Sequence, residues 1–220
     1  MKKLLGKLFL KLFGWKFIGE APPEVHKQCV LIAAPHTTNW DYPFAVATMS
    51  ALGVKIRYTI KKEWMHFPLR LFFGPMGGIG INRTPKNPGD KRPSMVEAIA
   101  DLFNEHEKLC IMVPAEGTRS LRKQWKTGFY YIALTANVPI VLGYLDFEKK
   151  ISGIGKVIYP TGNLEKDMGE IMEFYKDIKG KHPKKFMLDE RFYPLRDSDS
   201  PAAKEIKENP TKPDNNHPPS

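Results

Sequence analysis

Residues 2–18, KKLLGKLFLKLFGWKFI, put Leu4, Leu5, Leu8, Phe9, Leu12, Phe13 and Trp15 on one arc of about half a helical wheel. Lys2, Lys3, Gly6, Lys7, Lys11 and Gly14 share the opposite arc, with Leu10 and Lys16 out of pattern. An apolar face edged by lysines describes a helix lying in a membrane interface, and the same arc would also suit a first helix packed on a core. The flanking lysines favour the interface. A secretory signal peptide fits less well, because lysines interrupt the apolar region and no small-residue cleavage site follows. After Pro22-Pro23 the pattern changes to short apolar runs separated by longer amphipathic ones. Strands are expected at Cys29–Ala34, Lys55–Ile60, Gly78–Asn82, Leu109–Val113 and Val138–Leu145. Helices are expected near Trp40–Leu52, Trp64–Phe73, Pro93–Glu105, Arg122–Ala136 and Leu164–Lys179, with a hairpin turning at Gly153–Gly155. This alternation predicts an α/β fold, a largely parallel mixed sheet flanked by helices. From Asp197 onward Pro, Asn, Asp and Ser dominate without apolar period, which predicts a disordered tail. The expected organisation is an amphipathic helix over 1–20, one domain over 21–196 and the tail over 197–220.

Composition narrows the class. Apolar residues make up 42% of the 220 and charged residues 26%, so the chain is neither wholly disordered nor polytopic. No window approaches the ~18 uninterrupted apolar residues of a bilayer-spanning helix. The net charge of +10 is concentrated at the start, where residues 1–18 hold five lysines and no acid. That points to an anionic surface as partner. Cys29 and Cys110 read as small buried hydrophobes in a reducing compartment.

Three blocks carry candidate chemistry. In AAPHTTNWDYPF, residues 33–44, an apolar strand ends and His36 emerges just past it, with Asp41 near the start of the next helix. Carboxyl ends of strands are where open α/β sheets bind ligands. The pair is either a base with its orienting carboxylate or a solvated turn in which Asp41 caps the helix. In GPMGGIGINR, residues 74–83, glycines permit close backbone approach and Arg83 ends a short strand. A tight loop with a surface arginine fits equally, and no dinucleotide fingerprint can be aligned. In PAEGTRS, residues 114–120, Glu116, Gly117, Thr118 and Arg119 offer a carboxylate, a flexible amide, a hydroxyl and a guanidinium suited to an anionic substrate. No serine-hydrolase elbow, P-loop, paired C-x-x-C or H-E-x-x-H is present.

Taken in order, these blocks resemble those of the glycerophospholipid acyltransferases, the lysophosphatidate acyltransferases and their relatives. His36–Asp41 is similar to that family's His-four residues-Asp motif, Ile79–Arg83 to its second block and Glu116–Arg119 to its Glu-Gly-Thr-Arg block. Val138-Pro139-Ile140-Val141 is similar to its proline-led fourth block, so the resemblance covers about residues 30–145. Three positions depart from the pattern: Ala115 separates Pro114 from Glu116, Leu142 replaces a second proline, and Asn82 precedes Arg83 where Asp is frequent. The resemblance implies acyl transfer from acyl-coenzyme A or acyl carrier protein to a lysophospholipid hydroxyl, turning 1-acylglycerol 3-phosphate into phosphatidate. His36 would be general base and Asp41 its orienter. Arg83 and Arg119 would hold the acceptor phosphate, Glu116, Gly117 and Thr118 would shape that site, and amides near Gly78–Gly80 or Gly117 would serve as oxyanion donors. No metal or bound cofactor is required. The expected location is peripheral, on the cytoplasmic face of the inner membrane, against an anionic lipid surface and without nucleic acid. Two other readings are a lyso-aminolipid acceptor and a non-catalytic basic module binding membranes or nucleic acid.

Overall fold

The central apolar runs form strands because they alternate between two buried faces. In β2 (Gln28–Ala34), Cys29 and Leu31 point to one side of the sheet and Val30 and Ile32 to the other, and all four are buried. A strand covered on both faces belongs to the interior of a parallel sheet. The computed structural model describes residues 2–85 and 91–193. The tail expected from Asp197 lies outside the described residues.

The elements run α1 (Lys2–Leu12), β1 (Lys16–Ile18), β2, α2 (Asp41–Leu52), β3 (Ile56–Lys61), α3 (Arg70–Phe73), β4 (Gly78–Ile81), α4 (Met95–Glu105), β5 (Leu109–Pro114), α5 (Gly128–Ala136), β6 (Ile140–Asp146), β7 (Ile151–Ile158) and α6 (Leu164–Tyr175). Seven strands form one sheet in the order β1-β7-β6-β2-β5-β3-β4, parallel at every pairing except β6–β7. The expected mixed, largely parallel α/β architecture is present. Helices α4, α5 and α6 cover one face through a core that includes Ile99, Phe129, Met168 and Tyr175. On the other face lies α2, with α1 outside it. Local signals fix several ends: Ser94 and Glu97 make a reciprocal cap at the start of α4, and Gly53 at φ 82° closes α2.

Four expectations need correction. The helix expected over 2–18 stops at Leu12, because Gly14 turns the chain at φ 70° and Lys16–Ile18 pairs with β7 as a strand. Trp15, placed on the apolar arc, is buried against Phe44 and Phe147 instead. Between Trp64 and Phe73 there is no continuous helix, since Pro68 lacks an N–H and restrains the residue before it. Helix α5 begins at Gly128, not Arg122, because residues up to Thr127 fold back: the Lys126 N–H donates to the Ala115 carbonyl at 3.1 Å. Gly153 and Gly155 lie inside β7, and the hairpin turns at Phe147–Lys150, where the Asp146 carboxylate accepts the N–H groups of Glu148 and Lys149.

Helix α1 packs one side on the core and leaves another uncovered. Gly6 and Leu10 are buried against α2, and a Cβ on Gly6 would stand 2.5 Å from the Ala47 carbonyl oxygen. Leu10, out of pattern on the lysine side, is thus the residue that anchors the helix. Leu4, Leu5, Leu8 and Leu12 are left exposed.

Candidate active site

Strand β2 lies between β5 and β6, so the loops leaving β2 and β5 emerge side by side at the carboxyl end of the sheet. This is the crevice in which such sheets bind ligands. His36 follows β2, and Asp41 opens α2. Asp41 Oδ2 accepts the N–H groups of Thr37 at 2.8 Å and Thr38 at 2.9 Å and stands 3.1 Å from His36 Nδ1. The positive end of α2 favours its charge. With a proton on Nδ1 directed at Asp41, Nε2 keeps a free lone pair for a substrate proton. Asp41 thus ties the turn that precedes α2 to the His36 ring. Its Oδ1 is buried and has no hydrogen-bond partner among the described residues.

The Glu-Gly-Thr-Arg block meets this turn from β5. Both oxygens of Glu116 accept the backbone N–H of His36 at 3.0 Å, across 80 residues of sequence. Glu116 is buried, and burial pushes its carboxyl up to about 7 against the opposing pull of the His36 N–H, with the negative Asp41 adding to the rise. Its contact is with the turn that carries His36. Gly117 adopts φ 69°, its N–H donates to the Pro114 carbonyl, and a Cβ there would meet Lys126 Cγ at 2.7 Å. That amide is committed to the turn, so it is not an oxyanion donor. The Thr118 hydroxyl accepts from the Ser120 N–H within the same loop. Exposed Arg119 donates to Asn39 Oδ1 and so stands beside the His36–Asp41 turn.

Arg83 is not brought into this group. Its Nε donates to the Pro93 carbonyl at 2.9 Å, and it lines a separate depression of about 920 Å³ with Lys62 and Arg92. That depression shares Thr59 with the cavity at His36. Glycines 78 and 80 lie on the edge strand β4, packed against Phe73 and Met65 respectively.

His36 and Asp41 open on a cavity of about 460 Å³ between α2 and the sheet, of a size that suits a small-molecule ligand. Leu31, Ala33, Met112 and Leu145 from the strands and Ala45 and Met49 from α2 give it an apolar wall. Several supporting residues carried no signal in the sequence. Thr37 is buried, and its hydroxyl accepts the His182 N–H at 3.2 Å, while Gly180 lies against Pro35 and Thr37. Lys181 sits 5.4 Å over the ring of Trp40, the neighbour in sequence of the Arg119 partner Asn39. Tyr175, fully buried, donates to the Gly143 carbonyl at 2.8 Å. Tyr175, Gly180, Lys181 and His182 come from α6 and the segment after it, far from Thr37 in the sequence. No group of three or more His, Cys, Asp or Glu suited to a metal ion occurs among the described residues.

A titration prediction follows from Glu116. A carboxyl raised from its ordinary 4.5 to about 7 makes the folded state less stable as pH rises through that window. Glu116→Gln keeps an acceptor for the His36 N–H and removes the ionisation. Urea midpoints measured at about pH 5 and about pH 8 should therefore show the variant gaining on the wild type at the higher pH. Parallel shifts would mean that Glu116 does not titrate in this range.

The site thus joins a histidine–aspartate pair past the end of a central strand, a glutamate from the loop after β5 and an apolar cavity. The chain belongs to the acyltransferase family: the family model described as Acyltransferase matches residues 18–142, more than half of the chain. It is thus an acyltransferase. No curated protein matches it. Among solved structures, it is similar to the 1-acyl-sn-glycerophosphate (LPA) acyltransferase PlsC from Thermotoga maritima. The two are 14% identical with a TM-score of 0.46, over 79% of this chain and 74% of that one.

Proposed function

We propose that this acyltransferase moves a fatty acyl group from an acyl thioester, on coenzyme A or acyl carrier protein, to the hydroxyl of a lysophospholipid. The favoured acceptor is 1-acylglycerol 3-phosphate and the product phosphatidate. The observation that carries this reading is the His36–Asp41 pair opening onto the apolar cavity. His36 Nε2 takes the acceptor's hydroxyl proton as the oxygen attacks the thioester carbonyl carbon. The tetrahedral intermediate then expels the thiolate, which takes the proton back from the imidazolium. Asp41 holds the ring and balances its transient charge. No covalent acyl-enzyme is needed, because neither a serine nor a cysteine stands within hydrogen-bond reach of His36 among the described contacts.

The apolar cavity suits an acyl chain, and Arg119 and Lys181, against Asn39 and Trp40 of the His36–Asp41 turn, supply two cations for an acceptor phosphate. Arg83, in the neighbouring depression, would reach that phosphate only from the far side of Thr59. The exposed leucines of α1 support peripheral attachment to an anionic lipid surface, on the cytoplasmic face of the inner membrane. No helix among the described residues is long and apolar enough to cross one.

The deciding experiment mixes purified protein, acyl-coenzyme A and a panel of lysolipids and identifies products by mass spectrometry. Phosphatidate should dominate, and a lyso-aminolipid product would shift the acceptor to that class. In the same assay Arg119→Lys should raise the Michaelis constant for the phosphorylated acceptor more than for the donor, because lysine keeps the charge and loses the planar fork. A defect confined to the donor would move Arg119 away from the acceptor.

A further inference from the structure

The crossover from β3 to β4 carries an apolar strip that the fold leaves uncovered. Phe67 is 82% exposed and Leu71 70%, with Leu69 and Met76 also exposed. Soluble surfaces rarely keep large apolar side chains clustered in one short segment without an interaction to use them. Lys62, His66 and Arg70 are exposed in the same segment, so its apolar residues are interspersed with basic ones.

Its position gives the strip a use. Tyr42 and Phe44 are two residues apart on α2, which turns their side chains to nearly opposite sides of the helix. Phe44 packs against Phe9 and Phe13 of the N-terminal segment, with ring centroids 5.4 and 5.5 Å away. Tyr42 packs edge-on against Tyr58 and donates to the Met76 carbonyl at 3.5 Å. The crossover thus flanks the first turns of α2 on one side, as α1 with its exposed leucines does on the other. Met76 also lines the cavity that holds His36.

We infer that the β3–β4 crossover is a second lipid-contacting strip, so that the bilayer meets this protein on both flanks of the cavity mouth and the lysolipid passes sideways from membrane to cavity. The inference rests on the lipid-acceptor reading above. A lipid surface suits the strip better than a protein groove because basic side chains flank the apolar ones, as on α1, and anionic head groups satisfy both. Contact through two separated strips orients the mouth toward the bilayer, which one helix alone would leave free to roll.

The test compares full-length wild type, Phe67→Ser/Leu71→Ser, Phe67→Leu and the α1 variant Leu4→Ser/Leu8→Ser. Co-sedimentation is measured with phosphatidylcholine vesicles with and without phosphatidylglycerol, and turnover with a water-soluble short-chain lysophosphatidate. Removing two large inserted side chains should lower partition by about tenfold or more. Phe67→Ser/Leu71→Ser should therefore lose vesicle binding as the α1 variant does and keep its turnover on the soluble acceptor, and Phe67→Leu should bind like wild type. Undiminished vesicle binding by a folded Phe67→Ser/Leu71→Ser protein overturns the inference. So does a wild-type dimer that this variant converts to monomer without changing vesicle binding, which would assign the strip to a second copy of the chain. If vesicle binding depends on Phe67 and Leu71 while the wild type acylates no lysolipid, the strip stands and the acceptor reading fails.

Discussion

His36→Ala is expected to lower acyl transfer by about 10²–10⁴-fold, the range a positioned general base contributes. The protein should remain folded. Glu116 grips the backbone N–H of residue 36, which alanine retains, and the imidazole itself is only partly buried. The loss should fall on kcat and should appear with every acceptor, because the proton leaves a hydroxyl whatever head group carries it. Thiol release from the acyl donor, measured beside a thermal melt, gives both quantities from one preparation. Substantial turnover by a well-folded His36→Ala protein would remove the general-base step.

Asp41→Asn should also be severe, at about 10²–10³-fold, for an electrostatic reason. The Thr37 and Thr38 N–H groups converge on one carboxylate oxygen, so an asparagine must keep its carbonyl oxygen there. That same oxygen faces His36 Nδ1, so the ring keeps its acceptor and the loss comes from the missing negative charge that would balance the imidazolium. The asparagine oxygen still accepts the Thr37 and Thr38 N–H groups, so stability should drop only modestly. Because the two residues act as one unit, the double variant should be scarcely slower than His36→Ala alone. A few-fold effect of Asp41→Asn would reduce Asp41 to a brace for the Thr37–Thr38 turn.

What the sequence disclosed is what lies close together along it. Apolar runs mark β2, β5 and β6 because those strands are buried on both faces. The His36–Asp41 pair was visible because six consecutive residues hold both partners. Glu116 was visible as a member of a block, but its task was not. Its partner is a main-chain N–H eighty positions away, and a backbone donor has no letter in the sequence. The glycines of β7 misled for a related reason. They resemble a turn, yet a Cβ on Gly153 would stand 2.5 Å from the Ile18 carbonyl oxygen, and one on Gly155 would stand 2.1 Å from the Phe174 ring. Their cause is crowding by distant segments, while the true turn is made by Asp146 folding over its own backbone. Arg83 shows the limit of spacing arguments, since an arginine ending one parallel strand can sit over a neighbouring hollow instead of the shared crevice.

The contact of Gly6 with Ala47 has a mechanical consequence. Main chain meets main chain there, with no side-chain cushion between α1 and α2, and the helix that α1 touches opens with Asp41. The leucine-bearing helix and the residue that aims the imidazole are therefore parts of one stiff bracket. The stand-off between those leucines and His36 is set by helix diameters, not by a tether, and a bulkier residue at position 6 would reset it as a shim does.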